Sequence, residues 1–155
     1  MNISKSLILK ILMLTAIITV TLTIFFNSFK DIVASNKASD VVVDVIVSDQ
    51  SNEEIDYLKL IVRKTAHLVE YAALGVVVML YVKFIEKERQ KKFYGAALFY
   101  TLLVAVVDEH IQSFSNRTSS TGDILLDFLG VLIGFTLVLA IHFIYVKLKK
   151  RKKCS

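Results

Sequence analysis

Proline and tryptophan are absent from this 155-residue chain, and cysteine occurs once, at Cys154. Without proline, no residue forces a helix to break by losing its backbone hydrogen-bond donor. A single cysteine cannot form an internal disulfide, so a small domain stabilised by disulfides within the chain is excluded. The position of Cys154 does not fit a C-terminal prenylation site either. The chain therefore depends on its apolar residues, rather than on covalent links, for its structure.

Hydrophobic residues make up 55% of the chain, and its mean hydropathy is +0.60. Such a composition is too apolar for an ordinary soluble domain of this length. A membrane span needs about 20 mostly apolar residues. Four segments meet this requirement, at residues 7–26, 66–85, 93–111 and 124–146. We therefore predict an all-α, polytopic membrane protein with four transmembrane helices and a single domain over residues 1–155.

The first span is interrupted only by Lys10, which lies near its end, where a lysine can extend its ammonium group to the membrane interface. The apolar stretch is longer than the core of a signal peptide, and the nearest small residues, Ala34 and Ala38, lie well beyond it. We therefore expect a retained membrane anchor rather than a cleaved leader.

Basic residues predict the orientation of the chain. They occur before the first span, at residues 83–92 between the second and third spans, and in the tail at 147–155. The outer loop at 27–62 instead holds seven acidic residues against three lysines. Because cytoplasmic segments carry the excess of lysine and arginine, we predict cytoplasmic N and C termini. A basic tail after a span is typical of contact with anionic lipid, so no nucleic-acid partner is expected.

The outer loop contains two local patterns. Residues 41–47 (VVVDVIV) are mostly β-branched and are too short to span a membrane, which indicates a short strand or a buried strip. Residues 51–54 match the S-x-x-E capping box, in which each side chain satisfies a backbone donor at a helix start. The second helix is therefore predicted to begin near Ser51, before its membrane span.

The first polar cluster lies at the start of the second span. It consists of Arg63, Lys64, His67, Glu70 and Tyr71. Arg63, His67 and Glu70 share one helix face because they are separated by four and three residues. Ionisable side chains at membrane depth are costly and usually mark a function.

The second polar cluster spans the end of the third helix and the start of the fourth. It consists of Asp108, Glu109, His110, Gln112, Arg117, Asp123 and Asp127. On the fourth helix, Asp123 and Asp127 continue a stripe that contains Gly130 and Gly134. A G-x-x-x-G pattern lets a neighbouring helix approach closely. Since the predicted topology puts both clusters at the extracytoplasmic face, we expect them to form one site.

Several of these residues also have a purely structural interpretation. His67 and Glu70 can form a buried hydrogen-bonded pair that has no part in chemistry. Arg63 and Lys64 can extend to the interface from the edge of a span. Asp123 can cap the fourth helix.

Asp127 is predicted to lie about one turn inside the fourth span. An aspartate there requires a partner, for which Arg117, Lys64 and His67 are the candidates. Glu70 and Asp108, by contrast, are expected at the mouth of the site, where water can reach them. Nucleophile elbows, phosphate-binding glycine loops, zinc-site spacings and dinucleotide-binding fingerprints are all absent from the sequence.

In its two polar motifs the chain resembles the VanZ-like family of small bacterial membrane proteins. Members of that family carry an R-K-x-x-H-x-x-E-Y-x-x-L-G stretch, which occurs here from Arg63 to Gly75. They also carry D-E-x-x-Q, then an arginine, an aspartate and a glycine-rich last helix, which correspond here to residues 108–134. Two departures are visible. Ile111 stands where the family often has histidine, and Ser115-Asn116 replaces its usual Pro-Gly.

The resemblance implies a multi-pass protein of the bacterial cell membrane and envelope. The founding relative is associated with resistance to the glycopeptide antibiotic teicoplanin, a phenotype that this chain need not share. The expected partners are membrane lipids, a lipid-linked cell-wall precursor or a glycopeptide antibiotic. The sequence does not determine the oligomeric state.

Three hypotheses follow. The first is an accessory, non-enzymatic protein whose outer site binds an anionic or amphiphilic ligand through Arg63, Lys64 and Arg117. The second is an enzyme acting on a lipid-linked substrate, with His67, Glu70, Asp108 and Glu109 as catalytic candidates. No cofactor is predicted, although a divalent cation held by Asp108, Glu109, Asp123 and Asp127 is a variant of this hypothesis. The third is a transporter or proton relay through Asp127 and His67, which would require a dimer.

Overall fold

The computed structural model describes residues 4–29, 52–113 and 121–154. These residues form four helices: α1 (Lys5–Phe29), α2 (Asn52–Arg89), α3 (Tyr94–Ser113) and α4 (Thr121–Cys154). Each helix is long and apolar enough to cross a membrane. The prediction of an all-α membrane protein with four spans is confirmed. The cytoplasmic location of both termini stays a prediction.

Two of the helices extend well beyond their predicted spans. α2 has 38 residues, which corresponds to about 57 Å, or nearly twice the thickness of a bilayer core. It begins at Asn52, as expected from the sequence near Ser51. The side chains of the capping box and residues 41–47 lie outside the described residues. α4 continues as helix through the basic tail to Cys154.

The closest helix pair is α2 with α4, and glycines allow it. A Cβ placed at Gly130 would lie 2.6 Å from the carbonyl oxygen of Leu68, and one at Gly134 would overlap the carbonyl oxygen of Ala72. Gly75 of α2 faces the backbone of Val131 in the same way. Small residues permit such approach between spanning helices, where packing rather than the hydrophobic effect drives association. The predicted role of Gly130 and Gly134 is therefore observed, and Gly75 adds a third contact.

α1 and α3 pack beside this pair. The hydroxyl groups of Thr21 and Tyr100 hydrogen-bond at 2.8 Å between the two helices. A polar link of this kind between spanning helices contributes about 0.6–2 kcal/mol. Large apolar side chains on the outer surface, such as Leu22 and Phe143, are exposed. A protein that exposes this much apolar surface is suited to lipid rather than to water.

Polar contacts hold together the end of the bundle where α2 meets α3. Lys10 of α1 pairs with Glu88 of α2 at 2.6 Å, so its ammonium group contacts protein rather than only reaching the interface as predicted. Lys83 and Tyr94 both hydrogen-bond to Glu86, at 2.9 and 2.7 Å. The short connection from α2 to α3 turns at Gln90, whose φ of 57° lies in the left-handed region.

Candidate functional site

The two polar clusters meet at the opposite end of the bundle from the Lys10–Glu88 pair. The first turns of the span in α2 contribute residues 63–71, and the end of α3 contributes residues 108–112. The first turns of α4 contribute residues 123–127. Because successive helices run in opposite directions, these three segments lie at one level. We call this group of side chains the polar end.

Lys64 and Asp123 form the outer part of the polar end. The Lys64 ammonium group donates a hydrogen bond to Asp123 over 2.6 Å, and the two side chains are 45% and 30% exposed. Asp123 lies in the first turn of α4, which begins at Thr121, rather than at the residue before the helix. The capping role proposed for Asp123 is thus replaced by a contact between two helices.

Asp108 lies at the centre of the polar end and is fully buried. Its Oδ2 atom accepts a hydrogen bond from Gln112 over 3.0 Å and lies 4.0 Å from Nδ1 of His67. Gln112 also contacts the Ser28 hydroxyl of α1 at 3.4 Å. The i, i+4 spacing of Asp108 and Gln112 predicts their hydrogen bond. Only packing brings His67 against them.

The expected position of Asp108 at a water-accessible mouth is wrong. Asp108 is 0% exposed, and Tyr71 of α2, which lies beside it, is also 0% exposed. Glu109 and Asp127 are each 3% exposed. An ionised carboxylate without a compensating charge is expensive in such surroundings, so the polar end must contain protons or cations that balance these groups.

Glu70 pairs with a residue that the sequence reasoning missed. Its Oε1 atom accepts a hydrogen bond from Asn27 of α1 over 2.7 Å. The described contacts of Glu70 are therefore with α1, whereas His67 faces Asp108. The proposed pair of His67 and Glu70 is not formed. Asn27 and the buried Ser28 lie in the last turn of a mostly apolar helix. That polar pair at the end of a span was the available sequence indication of their role.

Lys64 is not the partner of Asp127, because its ammonium group binds Asp123. Among the described residues, His67 is the predicted partner that lies near Asp127. Arg117, the remaining candidate, lies outside the described residues. Arg63 lines the cavity described next.

A small cavity of about 30 Å³ opens between α2 and α4 in the polar end. It is lined by Arg63, Lys64, His67, Gln112, Asp123, Leu126 and Asp127. One water molecule needs about 10–15 Å³ measured in this way, so the cavity can hold an ion or a few waters. A whole amphiphile does not fit inside it. A ligand would present only its polar group to this cavity.

A larger cavity of about 420 Å³ lies at the other end of the bundle, between α1, α2 and α3. Its walls are mainly apolar, and Lys10 and Arg89 lie at its edge. None of the predicted site residues lines it. By size alone, this larger cavity would be the favoured ligand site. The polar end is nevertheless the candidate site, because the buried ionisable groups lie there.

One group of side chains in the described structure has the composition of a cation site. His67, Asp108 and Asp127 each offer one potential ligand atom, and these three atoms all lie within 4.8 Å of one another. The predicted cation ligands were Asp108, Glu109, Asp123 and Asp127. The observed group instead combines His67 with Asp108 and Asp127, and Asp123 contacts Lys64.

A protein-family model described as VanZ/LLP1 matches residues 11–144, a range that includes all of the polar end. No curated protein and no solved structure has significant similarity to the chain.

Proposed function

Since the chain belongs to the VanZ/LLP1 family, we propose that it is a cell-envelope membrane protein whose polar end binds the anionic headgroup of an amphiphile. The observation that carries the proposal is that ionisable side chains of α2 and α4, together with Gln112 of α3, line one small cavity at one end of the bundle. Charges at that depth are retained where they serve a function. An amphiphile suits this position because its tail can stay in lipid while its headgroup reaches the cavity.

Arg63 and Lys64 are the groups proposed to bind the ligand. Both line the cavity, and both present hydrogen-bond donors with a permanent positive charge. Arginine binds carboxylate and phosphate through two parallel hydrogen bonds. Asp123 holds the Lys64 ammonium group in position over 2.6 Å. Arg117, which precedes α4 in the sequence, is a further candidate donor.

The ligand chemistry that fits is a phosphate or carboxylate attached to an apolar anchor. Anionic membrane lipids, a lipid-linked cell-wall precursor and a lipidated glycopeptide antibiotic all have this chemistry. The proposed location is the extracytoplasmic face of the bacterial membrane, which follows from the distribution of basic residues. A contribution to teicoplanin resistance would correspond to the third ligand class.

The proposal is tested by measuring ligand retention in nanodiscs made of zwitterionic lipid. The ligands are phosphatidylglycerol, a polyprenyl phosphate and teicoplanin, each measured by native mass spectrometry and by titration. The variant is Arg63→Gln, and the matched control is Lys87→Gln, which removes a cation from the other end of the same helix. A hydrogen bond to a charged group contributes about 1.5–3 kcal/mol, so Arg63→Gln should weaken binding at least about tenfold. Equal binding by both variants, or no retained ligand, would overturn the proposal.

A second candidate function is an enzyme that acts on a lipid-linked substrate. It is favoured by the 4.0 Å approach of His67 Nδ1 to Asp108 Oδ2, since a carboxylate can orient a histidine for proton transfer. Lipid analysis of a deletion strain distinguishes the two functions. A lipid that accumulates in the deletion strain, and also in a strain carrying Asp108→Asn, would indicate catalysis.

A further inference from the structure

We propose that His67, Asp108 and Asp127 form a binding site for a first-row divalent transition cation such as Zn²⁺ or Mn²⁺. Each ligand comes from a different helix: α2, α3 and α4 respectively. The ligand atoms all lie within 4.8 Å of one another. A bound ion would thus connect the three helices that build the polar end.

The separation of the ligand atoms is close to what an ion requires. Zinc lies about 2.0–2.2 Å from nitrogen and carboxylate ligands, so two of its ligand atoms at the tetrahedral angle lie about 3.3–3.6 Å apart. His67 Nδ1 and Asp108 Oδ2 are 4.0 Å apart. The three ligand atoms lie within 4.8 Å of one another, so the side chains must rotate inward for all of them to contact one ion.

Buried polar atoms without hydrogen-bond partners give an independent indication of a ligand. Among the described residues, His67 Nδ1 and Asp108 Oδ1 are buried and have no hydrogen-bond partner. The hydroxyl of Tyr71 lies beside Asp108 but also makes no hydrogen bond of good geometry. Leaving a buried polar atom without a partner is destabilising, so such atoms usually contact a ligand or an ordered water. A cation bound by His67 Nδ1 and by both oxygens of the Asp108 carboxylate would satisfy these two atoms, and a water molecule bound to it could accept a hydrogen bond from Tyr71.

The surroundings also suit a metal. Gln112 donates a hydrogen bond to Asp108 over 3.0 Å. A hydrogen bond to a carboxylate that binds a metal fixes its orientation and typically strengthens metal binding. The cavity beside His67 and Asp127 leaves room for water or substrate as a further ligand. One imidazole with two carboxylates favours a transition cation over Ca²⁺ or Mg²⁺, which prefer an all-oxygen shell.

A cation would also explain how an acidic site binds an anionic headgroup, a step that rests on the proposed function. The described part of the polar end has more carboxyl groups than permanent cations. Its carboxyl groups are Glu70, Asp108, Glu109, Asp123 and Asp127, and its permanent cations are Arg63 and Lys64. With these carboxyl groups ionised, the site would carry a net negative charge, which opposes the binding of an anion. A divalent ion offsets the charge of Asp108 and Asp127 and adds an attractive centre for phosphate.

The test uses the full chain with Cys154→Ser and no histidine tag, purified in detergent, stripped with a chelator and then dialysed against Zn²⁺, Mn²⁺ or Mg²⁺. Elemental analysis should give one Zn²⁺ or Mn²⁺ per chain. His67→Gln and Asp127→Asn should each weaken binding at least tenfold in calorimetric titration. His142→Gln is the matched control, since His142 is an exposed histidine farther along α4, outside the polar end, and it should bind as the parent does.

Co²⁺ provides a readout that does not depend on stability, because its visible absorption reports a nitrogen and oxygen ligand shell of low coordination. That absorption should appear in the parent chain and be lost in His67→Gln. Substoichiometric binding, or unchanged affinity in His67→Gln, would overturn the metal site. If the metal binds but phosphatidylglycerol, polyprenyl phosphate and teicoplanin all fail to bind, the proposed function fails while the metal site stands. If the polyprenyl phosphate binds equally well with chelator present, the proposed function stands. The ion would then have no part in binding the headgroup.

Discussion

Lys64 of α2 and Asp123 of α4 are in direct contact, with 2.6 Å between Nζ and Oδ1, although 59 positions separate them in the sequence. Their contact closes the outer side of the polar end. The charge of Asp123 is thus balanced by Lys64, whereas Asp108 and Asp127 lie buried deeper in the polar end.

The first prediction concerns the energetic weight of this pair. Both side chains are partly exposed, so the ion pair should contribute less than about 1 kcal/mol to stability. We expect Lys64→Met to leave the thermal unfolding midpoint in detergent nearly unchanged while weakening the retention of a lipid phosphate. A large fall in the midpoint would show that Lys64 is mainly a structural residue.

The second prediction concerns the glycine contacts between α2 and α4. Gly134→Ala should lower the unfolding midpoint clearly, because the new Cβ would overlap the backbone of Ala72 and force the helices apart. Gly95→Ala is the matched control, since no atom lies within 4 Å of the Cβ position at Gly95. In a helix, alanine is favoured over glycine by about 1 kcal/mol, so the control should be neutral or slightly stabilising. Equal effects of the two substitutions would contradict the close packing.

The third prediction separates charge from structure at the polar end. Glu70→Gln keeps an oxygen that can accept the hydrogen bond from Asn27, and Asp108→Asn keeps one for Gln112. Both variants should therefore stay abundant in the membrane yet lose the envelope phenotype of the parent, measured as lipid composition and antibiotic susceptibility. Asp108→Leu removes the acceptor as well, and should lower abundance. If the two amide variants disappear from the membrane too, the charges serve mainly to stabilise the bundle.

The fourth prediction tests orientation. In a Cys154→Ser background, single cysteines at Ser35 or Ser119 should react with a membrane-impermeant thiol reagent in intact cells. A cysteine at Gln90, between α2 and α3, should react only after the membrane is opened, because its surroundings are basic. Labelling of the Gln90 position in intact cells would reverse the orientation.

The fifth prediction tests the union of the two clusters in the membrane. Cysteines at His67 and Asp127 should be joined by a short bifunctional thiol reagent, because the native side chains approach within 4.8 Å. A cysteine at Leu137, farther along α4, serves as the control and should not be joined to the position of His67. Crosslinking of the control pair alone would exclude the shared site.

The four helices were predictable because each depends on a local property. A spanning segment must satisfy its own backbone hydrogen bonds and present apolar side chains to lipid, so about 20 apolar residues in sequence are sufficient evidence. The same holds for the hydrogen bond between Asp108 and Gln112, which follows from their separation by one helical turn. Gly130 and Gly134 also marked a helix contact without identifying the helix that makes it.

Only the tertiary structure decided how the polar residues are paired. Glu70 contacts Asn27 of α1 rather than His67, and Asp108 is buried rather than exposed at a mouth. These outcomes depend on how far each helix is rotated about its axis and on how closely α2 approaches α4. Contacts between the glycines and backbone atoms of residues far away in sequence fix both quantities. The sequence by itself therefore determined which residues lie at the polar end, and packing between helices determined which of them meet.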